Sequence, residues 1–457
     1  MAGSVDAATR KRVLKVVFVS LLLDLISFTF ILPLFPKLLE FYRNSEAPAD
    51  PTAPPKDTLL SWILSQLNAY KAAFARPIDS RYDIVLLGGA LGSLFSLLQA
   101  FASPIIGTLS DRYGRRTALL ASMMGNILSV LLWVMAVDFR TFLLSRVVGG
   151  LSEGNVQLAT AIATDISDST TRGSTMALIG ACFSIAFTFG PALGAWLSSI
   201  PTVAANPFAT AAGFSLFLIV TETVYLYTSL PETLPSMSED KTNGHATKEE
   251  KTSGKADEQK PLQRTNSHFV LNATHFAFLL FFSGMEFSLP FMTYDLFGYS
   301  SAKNGRLLGF VGLVASILQG GVTRRLPPLL SVKTGVVACL LAFVLLGRLT
   351  SVPMLYLAAT FLATTSATVV TGLNALASFE ASEGERGGKL GVMRSWGQVG
   401  RGLGPILFTS VYWWAGREVA YAIGAAGIAG VAAIVFGGVS TPAGSEKSAK
   451  VKSGKKA

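Results

Sequence analysis

Residues 107–116 read Gly107-Thr-Leu-Ser-Asp111-Arg112-Tyr-Gly114-Arg115-Arg116 and form a short charged segment between two apolar runs, 84–109 and 117–136. A helix needs about 20 residues to cross a bilayer, and each run is long enough to do so. The glycines allow a tight turn, and Asp111 can accept hydrogen bonds from a helix terminus or from arginines. The segment therefore predicts a functional turn between two spanning helices, and a basic loop that only sets orientation is the alternative.

The composition extends this interpretation to the whole chain. Of the 457 residues, 50% are hydrophobic and 14% are charged, whereas soluble domains carry roughly a quarter charged residues. Cys182 and Cys339 lie in apolar runs, so neither a disulfide framework nor a cysteine metal site is expected. We predict an all-α membrane protein with twelve transmembrane helices. The predicted spans are 13–39, 84–109, 117–136, 141–163, 174–198, 208–229, 268–291, 305–322, 334–347, 354–377, 390–414 and 419–439.

The basic residues predict the orientation of these spans. Most of the 38 Lys and Arg residues fall on the side that holds both chain ends. By the positive-inside rule, the N-terminal segment 1–12 and the basic tail 440–457 are then cytoplasmic. The first span is interrupted by Asp24, Pro33 and Pro36 and is too long for a cleavable signal peptide. The net charge of +10 is spread between the spans, so nucleic acid is not an expected partner.

Two long polar stretches interrupt the series of spans. Residues 230–267 are mixed in charge and poor in large apolar side chains, which predicts a flexible cytoplasmic linker. Residues 40–83 form the first outer loop, in which a proline-rich piece precedes apolar residues at three- and four-residue intervals. This spacing favours an amphipathic helix on the outer membrane surface, with a small lid over the cavity as the alternative.

The two halves of the chain resemble each other. Gly89, Gly92, Ser96, Leu98 and Gln99 recur with the same spacing as Gly309, Gly312, Ser316, Leu318 and Gln319, and Arg172, Gly173, Gly190 and Pro191 recur as Arg386, Gly387, Gly404 and Pro405. These matches predict two pseudo-symmetric six-helix bundles, 13–229 and 268–439. In such duplicated transporters the substrate site lies between the bundles near the middle of the bilayer.

The segment that opens this section resembles the G-x-x-x-D-R-x-G-R-R signature of the major facilitator superfamily. The resemblance implies the two-bundle fold of that superfamily and a cytoplasmic gating motif in this loop. The residues that it carries over are Gly107, Asp111, Arg112, Gly114, Arg115 and Arg116. The equivalent loop of the second half keeps only Gly320, Gly321, Arg324 and Arg325, so the gate is not expected to be symmetric.

Two further segments resemble elements of the same superfamily. Residues 146–150, from Arg146 to Gly150, are similar to an R-x-x-x-G element associated with proton coupling, and Gly190-Pro191-Ala-Leu-Gly194 is similar to the G-P-x-x-G core of drug:proton antiporters. Close packing with a kink is the alternative for Gly190, Pro191 and Gly194. Glu153, Ala186 and Ala195 differ from the residues usual at these positions. The resemblance therefore implies proton exchange less strongly than it implies transport.

Within the superfamily, three stretches are similar to the animal tetracycline-transporter-like family. They are Leu21 to Glu40, Arg81 to Gln99 and Pro231-Glu232-Thr233-Leu234. That family is regarded as transporting organic anions. The resemblance therefore implies an organic anion or a drug-like compound as the substrate.

Ionisable residues inside the predicted spans indicate a pathway. An ionisable side chain in the middle of the bilayer costs about 2.5–3.5 kcal/mol, so such residues usually face a water-filled path or one another. For each residue, structural pairing between helices is the alternative to substrate or proton handling. For Glu222, snorkelling or helix pairing is the preferred interpretation. The candidate pathway residues are Asp24, Arg146, Glu153, Glu286, Arg394 and Arg401.

Together these features predict a secondary active transporter that works by alternating access coupled to protons, with antiport favoured. Its expected partners are the lipid bilayer, a small organic substrate and protons, and we expect a monomer without cofactor or metal. The three histidines, His245, His268 and His275, fall in the linker or at its edge, and hydrolase and phosphate-loop motifs are absent, so an enzyme is not expected. A non-transporting receptor and an uncoupled facilitator remain the alternatives.

Overall fold

A computed structural model of the chain describes residues 6–31, 34–46, 57–74, 83–168, 170–198, 200, 206–234, 264–382 and 384–442. The regular structure of these residues is helical, which confirms the all-α class. Several predicted features lie outside the described residues. They are Pro33, the proline-rich piece of the outer loop (47–56), most of the linker (235–263), most of the basic tail (443–457) and the start of the N-terminal segment (1–5).

The helices follow the chain in two groups. The first half forms α1 (Ala7–Thr29), α2 (Phe35–Glu46), α3 (Leu59–Ala72), α4 (Asp83–Tyr113), α5 (Arg115–Val134), α6 (Phe139–Ser152), α7 (Asn155–Asp165), α8 (Arg172–Leu197) and α9 (Ala209–Ser229). The second half forms α10 (His268–Phe297), α11 (Ser301–Gly321), a 3-10 turn (Thr323–Arg325), α12 (Pro328–Gly347), α13 (Val352–Glu380), α14 (Arg386–Ala415) and α15 (Arg417–Gly438).

Nine helices in the described part of the chain are long and apolar enough to cross a membrane. The predicted first, fourth and eleventh spans are not among them and correspond to α1, to α6 with α7, and to α14. These helices carry five ionisable pathway candidates, Asp24, Arg146, Glu153, Arg394 and Arg401. These three spans fall short of the length or the apolar character of the other nine because they carry charged residues or are broken into shorter helices. The count of twelve crossings stays a prediction.

Two of the predicted spans are not continuous helices. The first is interrupted between α1 and α2, and the fourth is interrupted at Glu153 and Gly154, where the backbone of Glu153 has φ −71° and ψ 86°. A buried break must supply partners for the freed backbone groups. The Ser122 hydroxyl does so, since it accepts from the Gly154 N–H at 2.9 Å and donates to the Ser152 carbonyl.

The buried apolar residues form two main cores. One is drawn almost entirely from α1 to α9, and the other almost entirely from α10 to α15. The two halves meet where α4 packs against α14 and where α8 packs against α11. This arrangement confirms the two-bundle architecture. The first described residues of α1 and the last ones after α15 lie on one face, since Arg10 pairs with Asp168, Arg172 donates to the Ser378 carbonyl, and Asn266 donates to Glu380 and to the Ser440 carbonyl. We call this face the terminus side.

Helix α3 lies on the opposite side and contacts both halves. It packs on α4 and α6, and Lys71 forms an ion pair with Asp83 at the start of α4. The Tyr70 hydroxyl is 2.8 Å from the Ser410 hydroxyl of α14, and the Tyr70 and Trp413 ring centroids are 6.3 Å apart. The helix predicted within 40–83 is therefore present, and its bridging position favours the lid interpretation.

The bridge can be tested by removing one hydroxyl. We expect Tyr70→Phe to weaken the contact between α3 and α14 by about 0.5–1.5 kcal/mol, the net contribution of one hydrogen bond. Spin labels at the exposed positions Gln66 and Glu418 would then report a longer mean distance. Ser65→Ala is the matched control, because the Ser65 hydroxyl bonds only to Trp62 of its own helix. Equal distances in both variants would contradict the bridge.

Candidate transport pathway and gate

Three of the pathway candidates line one buried cavity in the first half. The cavity of about 40 Å³ is bordered by Asp24 of α1, by Arg146 of α6 and by Glu153 at the break between α6 and α7. These side chains belong to residues that are only 3%, 8% and 9% exposed. A cavity needs roughly 10–15 Å³ to hold a water molecule, so this one has room for a small polar group or a few waters.

The Arg146 guanidinium is held by aromatic rings and a hydroxyl. Its central carbon lies 5.9 Å from the Trp133 ring centroid and 5.6 Å from that of Phe142, and its Nε donates to the Ser145 hydroxyl at 3.2 Å. Glu153 accepts a long hydrogen bond of 3.5 Å from the Asn126 amide. Two cation–π contacts and one hydroxyl hold the charge of Arg146, which forms no ion pair with a carboxylate among the described residues. The helix break also means that Arg146 and Glu153 do not share one continuous helix face.

Arg394 connects this group to the second half. It projects from α14, and its Nη2 is 3.4 Å from the Gln99 Oε1 of α4. The charge of Arg394 interacts most strongly with that of Glu153, next with that of Arg401, and less with that of Asp24. Its buried Nε has no hydrogen-bond partner among the described residues. Two acids from one half thus face one cation from the other, and that cation retains an unused donor.

Glu286 and Arg401 form a separate pair. Their side chains are 46% and 47% exposed, and Oε2 of Glu286 lies 3.9 Å from Nη2 of Arg401. Arg401 follows Arg394 by two helix turns, or about 10 Å along α14. Three of the six pathway candidates therefore border one cavity, Arg394 approaches them from α14, and Arg401 of α14 and Glu286 of α10 form a more exposed pair.

The gating segment joins the halves on the terminus side. Asp111 accepts hydrogen bonds from the backbone N–H groups of Gly387 and Gly388 at 2.9 and 2.6 Å, at the start of α14. Arg115 donates to Asp111 at 2.6 Å. Gly107 lies so close to α14 that a Cβ atom there would overlap the carbonyl group of Gly387. These contacts close the terminus side between α4 and α14.

Asp165 completes this closure. Its side chain is fully buried and accepts from Arg115 of the first half at 2.8 Å and from Arg386 of the second half at 3.0 Å. Glu232 accepts from the backbone N–H groups of Arg115 and Arg116 at 2.8 and 3.2 Å, where Gly114 adopts φ +97°. We call Asp111, Arg115, Asp165 and Arg386 the charged latch.

Two arginines of the predicted gating motif take no part in the charged latch. Arg112 is exposed, with its guanidinium over the Tyr113 ring. Arg116 donates to the Tyr227 carbonyl at 2.6 Å and so ties α5 to α9 within the first half. These two arginines support the turn without joining the halves.

The antiporter-type segment packs within the first half. A Cβ atom on Gly190 would overlap the Thr29 side chain, and one on Gly194 would lie 2.7 Å from the Cα of Phe30. Pro191 stands between them inside α8. The two glycines let α8 approach the end of α1, where Thr29 also donates to the Ala186 carbonyl at 3.3 Å.

A scan against protein families matches residues 17–405 to the Major Facilitator Superfamily. The chain belongs to this superfamily. It is 36% identical to major facilitator superfamily domain-containing protein 10 of Mus musculus over 91% of this chain and 90% of that protein. It is 34% identical to the Homo sapiens protein of the same name over 90% of each. It is 28% identical to the class G tetracycline resistance protein of Vibrio anguillarum over 71% of this chain and 80% of that protein.

The fold of this superfamily member also matches a solved structure. The crystal structure of the human organic anion transporter MFSD10 (TETRAN) superposes with a TM-score of 0.81 at 32% identity, and the match covers 93% of this chain and 99% of that one. The superfamily and its relatives confirm that the chain is a multi-pass membrane transporter and not an enzyme.

The structure decides between the two interpretations of Glu222 and places one histidine differently from the sequence-based interpretation. Glu222 is 0% exposed and accepts from the Ser20 hydroxyl at 2.8 Å, so it pairs with α1 and does not snorkel. His275 is buried in the second turn of α10, away from the linker edge, and its Nδ1 is 3.0 Å from the Met393 carbonyl.

Asp165 is a residue of the charged latch that the sequence did not identify. It is the last residue of α7, just past the predicted fourth span and beside a polar loop, where an acid is unremarkable in the sequence. Its partners Arg115 and Arg386 are remote in the chain, and only the folded arrangement brings them to it. Arg386 belonged to the repeat pattern, but spacing alone carried no sign of the shared carboxylate.

Proposed function

We propose that the protein moves small organic anions across the membrane by alternating access coupled to the exchange of protons at buried acids. The observation that carries this proposal is the cavity bordered by the buried acids Asp24 and Glu153, together with Arg394 of the second half, which bonds to Gln99 and whose charge interacts with those of both acids. A carboxyl group can bind and release a proton, whereas a guanidinium keeps its charge. The acids are thus suited to carry protons, and Arg394 is suited to hold an anion.

Competition for Arg394 would couple the two movements. When Asp24 and Glu153 are ionised, their negative charges neutralise the positive charge of Arg394 and weaken its attraction for an anion. When they are protonated, the cation and its unpaired Nε are open to a carboxylate or sulfonate from the substrate. Substrate binding thus favours protonated acids, and proton release favours substrate release, so this competition couples the anion to protons that move in the same direction. The antiport favoured by the sequence would need the opposite linkage between proton and anion. The exposed pair of Glu286 and Arg401 lies further along α14, where it could receive the substrate first.

The charged latch would control access to this group. It holds α4 and α14 together on the terminus side, so the described arrangement is closed there. Alternating access requires these contacts to break as the halves rotate about the site. The close relatives support an organic anion as substrate, since the matched human structure is that of an organic anion transporter. We also propose that the termini are cytoplasmic, that the transporter acts as a monomer, and that nucleic acid is not a partner.

The test is uptake of radiolabelled organic anions into proteoliposomes under an imposed pH gradient. We expect Arg394→Ala to lower the initial uptake rate about 10- to 100-fold, because hydrogen bonds to charged groups contribute about 1.5–3 kcal/mol. We expect Glu286→Gln to reduce the dependence of uptake on the gradient. Arg348→Ala, which changes an exposed arginine at the end of α12, is the matched control.

The same assay separates the alternatives. Intact, gradient-dependent transport by both pathway variants would refute the roles of Arg394 and Glu286. Transport by the wild type without any proton movement would favour an uncoupled facilitator. Failure of purified wild type to exchange internal for external anion across a broad panel of carboxylates and sulfonates would favour a receptor.

A further inference from the structure

Glu222 is a buried acid that the pathway described above does not use. It lies in α9, is 0% exposed, and its Oε1 accepts from the Ser20 hydroxyl of α1 at 2.8 Å. Its Oε2 is also buried and has no hydrogen-bond partner among the described residues. An ionised carboxylate offers about four acceptor sites, so one hydroxyl leaves most of them unused.

The charged surroundings do not compensate a negative charge at Glu222. The charged groups that interact with it are Asp24 and Glu153, and both are acidic. Helices α1, α5 and α8 pack on α9. Arg116 of α5 donates to the Tyr227 carbonyl, which lies more than one helix turn from Glu222. The other cations on these helices are Arg172 at the first turn of α8, Lys15, which is exposed on α1, and residues at the remaining helix ends.

Burial without a cation has an energetic consequence. An isolated charge inside a protein costs several kcal/mol unless it is paired and hydrogen-bonded. A carboxylic acid in the same place costs far less, because it carries no net charge and its oxygens already have Ser20 as one partner. The surroundings of Glu222 are therefore those of a group that holds a proton in this arrangement.

The position of Glu222 relates it to the cavity. Ser20 precedes Asp24 by one turn of α1, or about 6 Å toward the terminus side. On α9, Ile219 precedes Glu222 by about one turn and lines the cavity together with Asp24. Glu222 thus lies one layer further from the cavity toward the side closed by the charged latch, and the Ser20 hydroxyl that it binds stands on the same helix as Asp24, one turn before it.

We propose that Glu222 is a second protonation site, which exchanges a proton with Asp24 through the Ser20 hydroxyl. The Ser20 Oγ accepts a proton from the Asp24 carboxylic acid while its own hydroxyl proton passes to Oε1 of an ionised Glu222. Asp24 ends as a carboxylate, Glu222 ends as a carboxylic acid, and Ser20 is unchanged. The exchange stores the proton on the terminus side of the cavity and leaves Asp24 ionised, the state that favours release of the anion. This inference rests on the proposed proton exchange.

The test compares wild type, Glu222→Gln and Thr221→Val in the full-length protein. Glutamine has the shape of a protonated glutamate but cannot exchange its proton, and Thr221 bonds only within α9. Infrared spectroscopy should show the carbonyl stretch of a buried carboxylic acid in wild type and in Thr221→Val, and its loss in Glu222→Gln. In proteoliposomes, the number of protons moved per benzoate should fall in Glu222→Gln by one whole proton and should stay unchanged in Thr221→Val.

The two readouts separate this inference from the proposed function. If wild type moves benzoate without protons, the proposed exchange is wrong, and the infrared band still decides whether Glu222 holds a proton. If the band and the proton ratio are the same in Glu222→Gln and wild type, the inference is wrong. Ser20→Ala is a second variant that removes the bridge and leaves the acid in place. It should shift the band and slow proton movement, and an unchanged band and rate would refute the bridging role.

Discussion

Asp165→Asn is expected to open the terminus side of the transporter. Asp165 is a fully buried carboxylate shared by Arg115 and Arg386, and its loss leaves both guanidinium groups without this partner. Removing one partner of a buried charge pair costs about 3–5 kcal/mol, because the remaining charge stays buried. Since about 1.4 kcal/mol corresponds to a tenfold change, the closed arrangement should lose population by about 150-fold or more.

The measurement is the distance between spin labels at the exposed positions Tyr113 and Arg325, one in each half. Wild type should show mainly a short distance, and Asp165→Asn should show mainly a longer one. The change in label distance in the double variant Asp165→Asn/Arg386→Gln should be smaller than the sum of the changes in the two single variants, because the double variant removes both members of one contact. Additive effects would show that the carboxylate and the guanidinium act independently.

Asp168→Asn is the matched control for this prediction. Burial acts to raise the pKa of Asp168, but hydrogen bonds from Thr170, Thr171 and Arg10 outweigh it and lower that pKa to about 2. Asp168 is therefore ionised at neutral pH. Its ion pair with Arg10 is exposed, and such pairs contribute only about 0–1 kcal/mol. A comparable change in distance for both variants would mean that general loss of negative charge, and not the charged latch, opens this side.

The fold could be predicted because the bilayer imposes a strong constraint on the sequence. A spanning helix needs about 20 apolar residues, and loops between spans can be short and polar. The interruption of the fourth span at Glu153 could not be predicted. It depends on the Ser122 hydroxyl of another helix, which satisfies the backbone on both sides of the break.

The candidate site was predictable only in part. Charged residues inside apolar runs identify Asp24, Arg146 and Arg394 without any structure, because lipid excludes them. Which charges face one another depends on helix rotation and on contacts between distant segments. Glu222 illustrates the difference, since its position near one end of the predicted span allowed either snorkelling or helix pairing, and only its rotation about the axis of α9, which turns it toward Ser20, decides for pairing.

The contact between Gly107 and Gly387 gives the other large expected effect. Here two backbones touch, and a Cβ atom on Gly107 would also lie 2.8 Å from the carbonyl carbon of Gly387. A flexible side chain could move away from a new methyl group, but a helix backbone held by the charged latch cannot. Alanine is the better helix former by about 1 kcal/mol, so a loss of function would not arise from weakening α4 itself.

Gly107→Ala should therefore disfavour the arrangement closed on the terminus side by about 3 kcal/mol, the upper end of the usual cost of overpacking. The spin labels at Tyr113 and Arg325 should report the longer distance, and anion exchange should slow about 100-fold because one of the two alternating states is no longer reached. Gly320→Ala is the matched control, since the Cβ position of that exposed glycine is open. Normal exchange by Gly107→Ala would show that α4 and α14 need not approach this closely during transport. A loss in Gly320→Ala as well would show that the glycines of these helices act through flexibility and not through close contact.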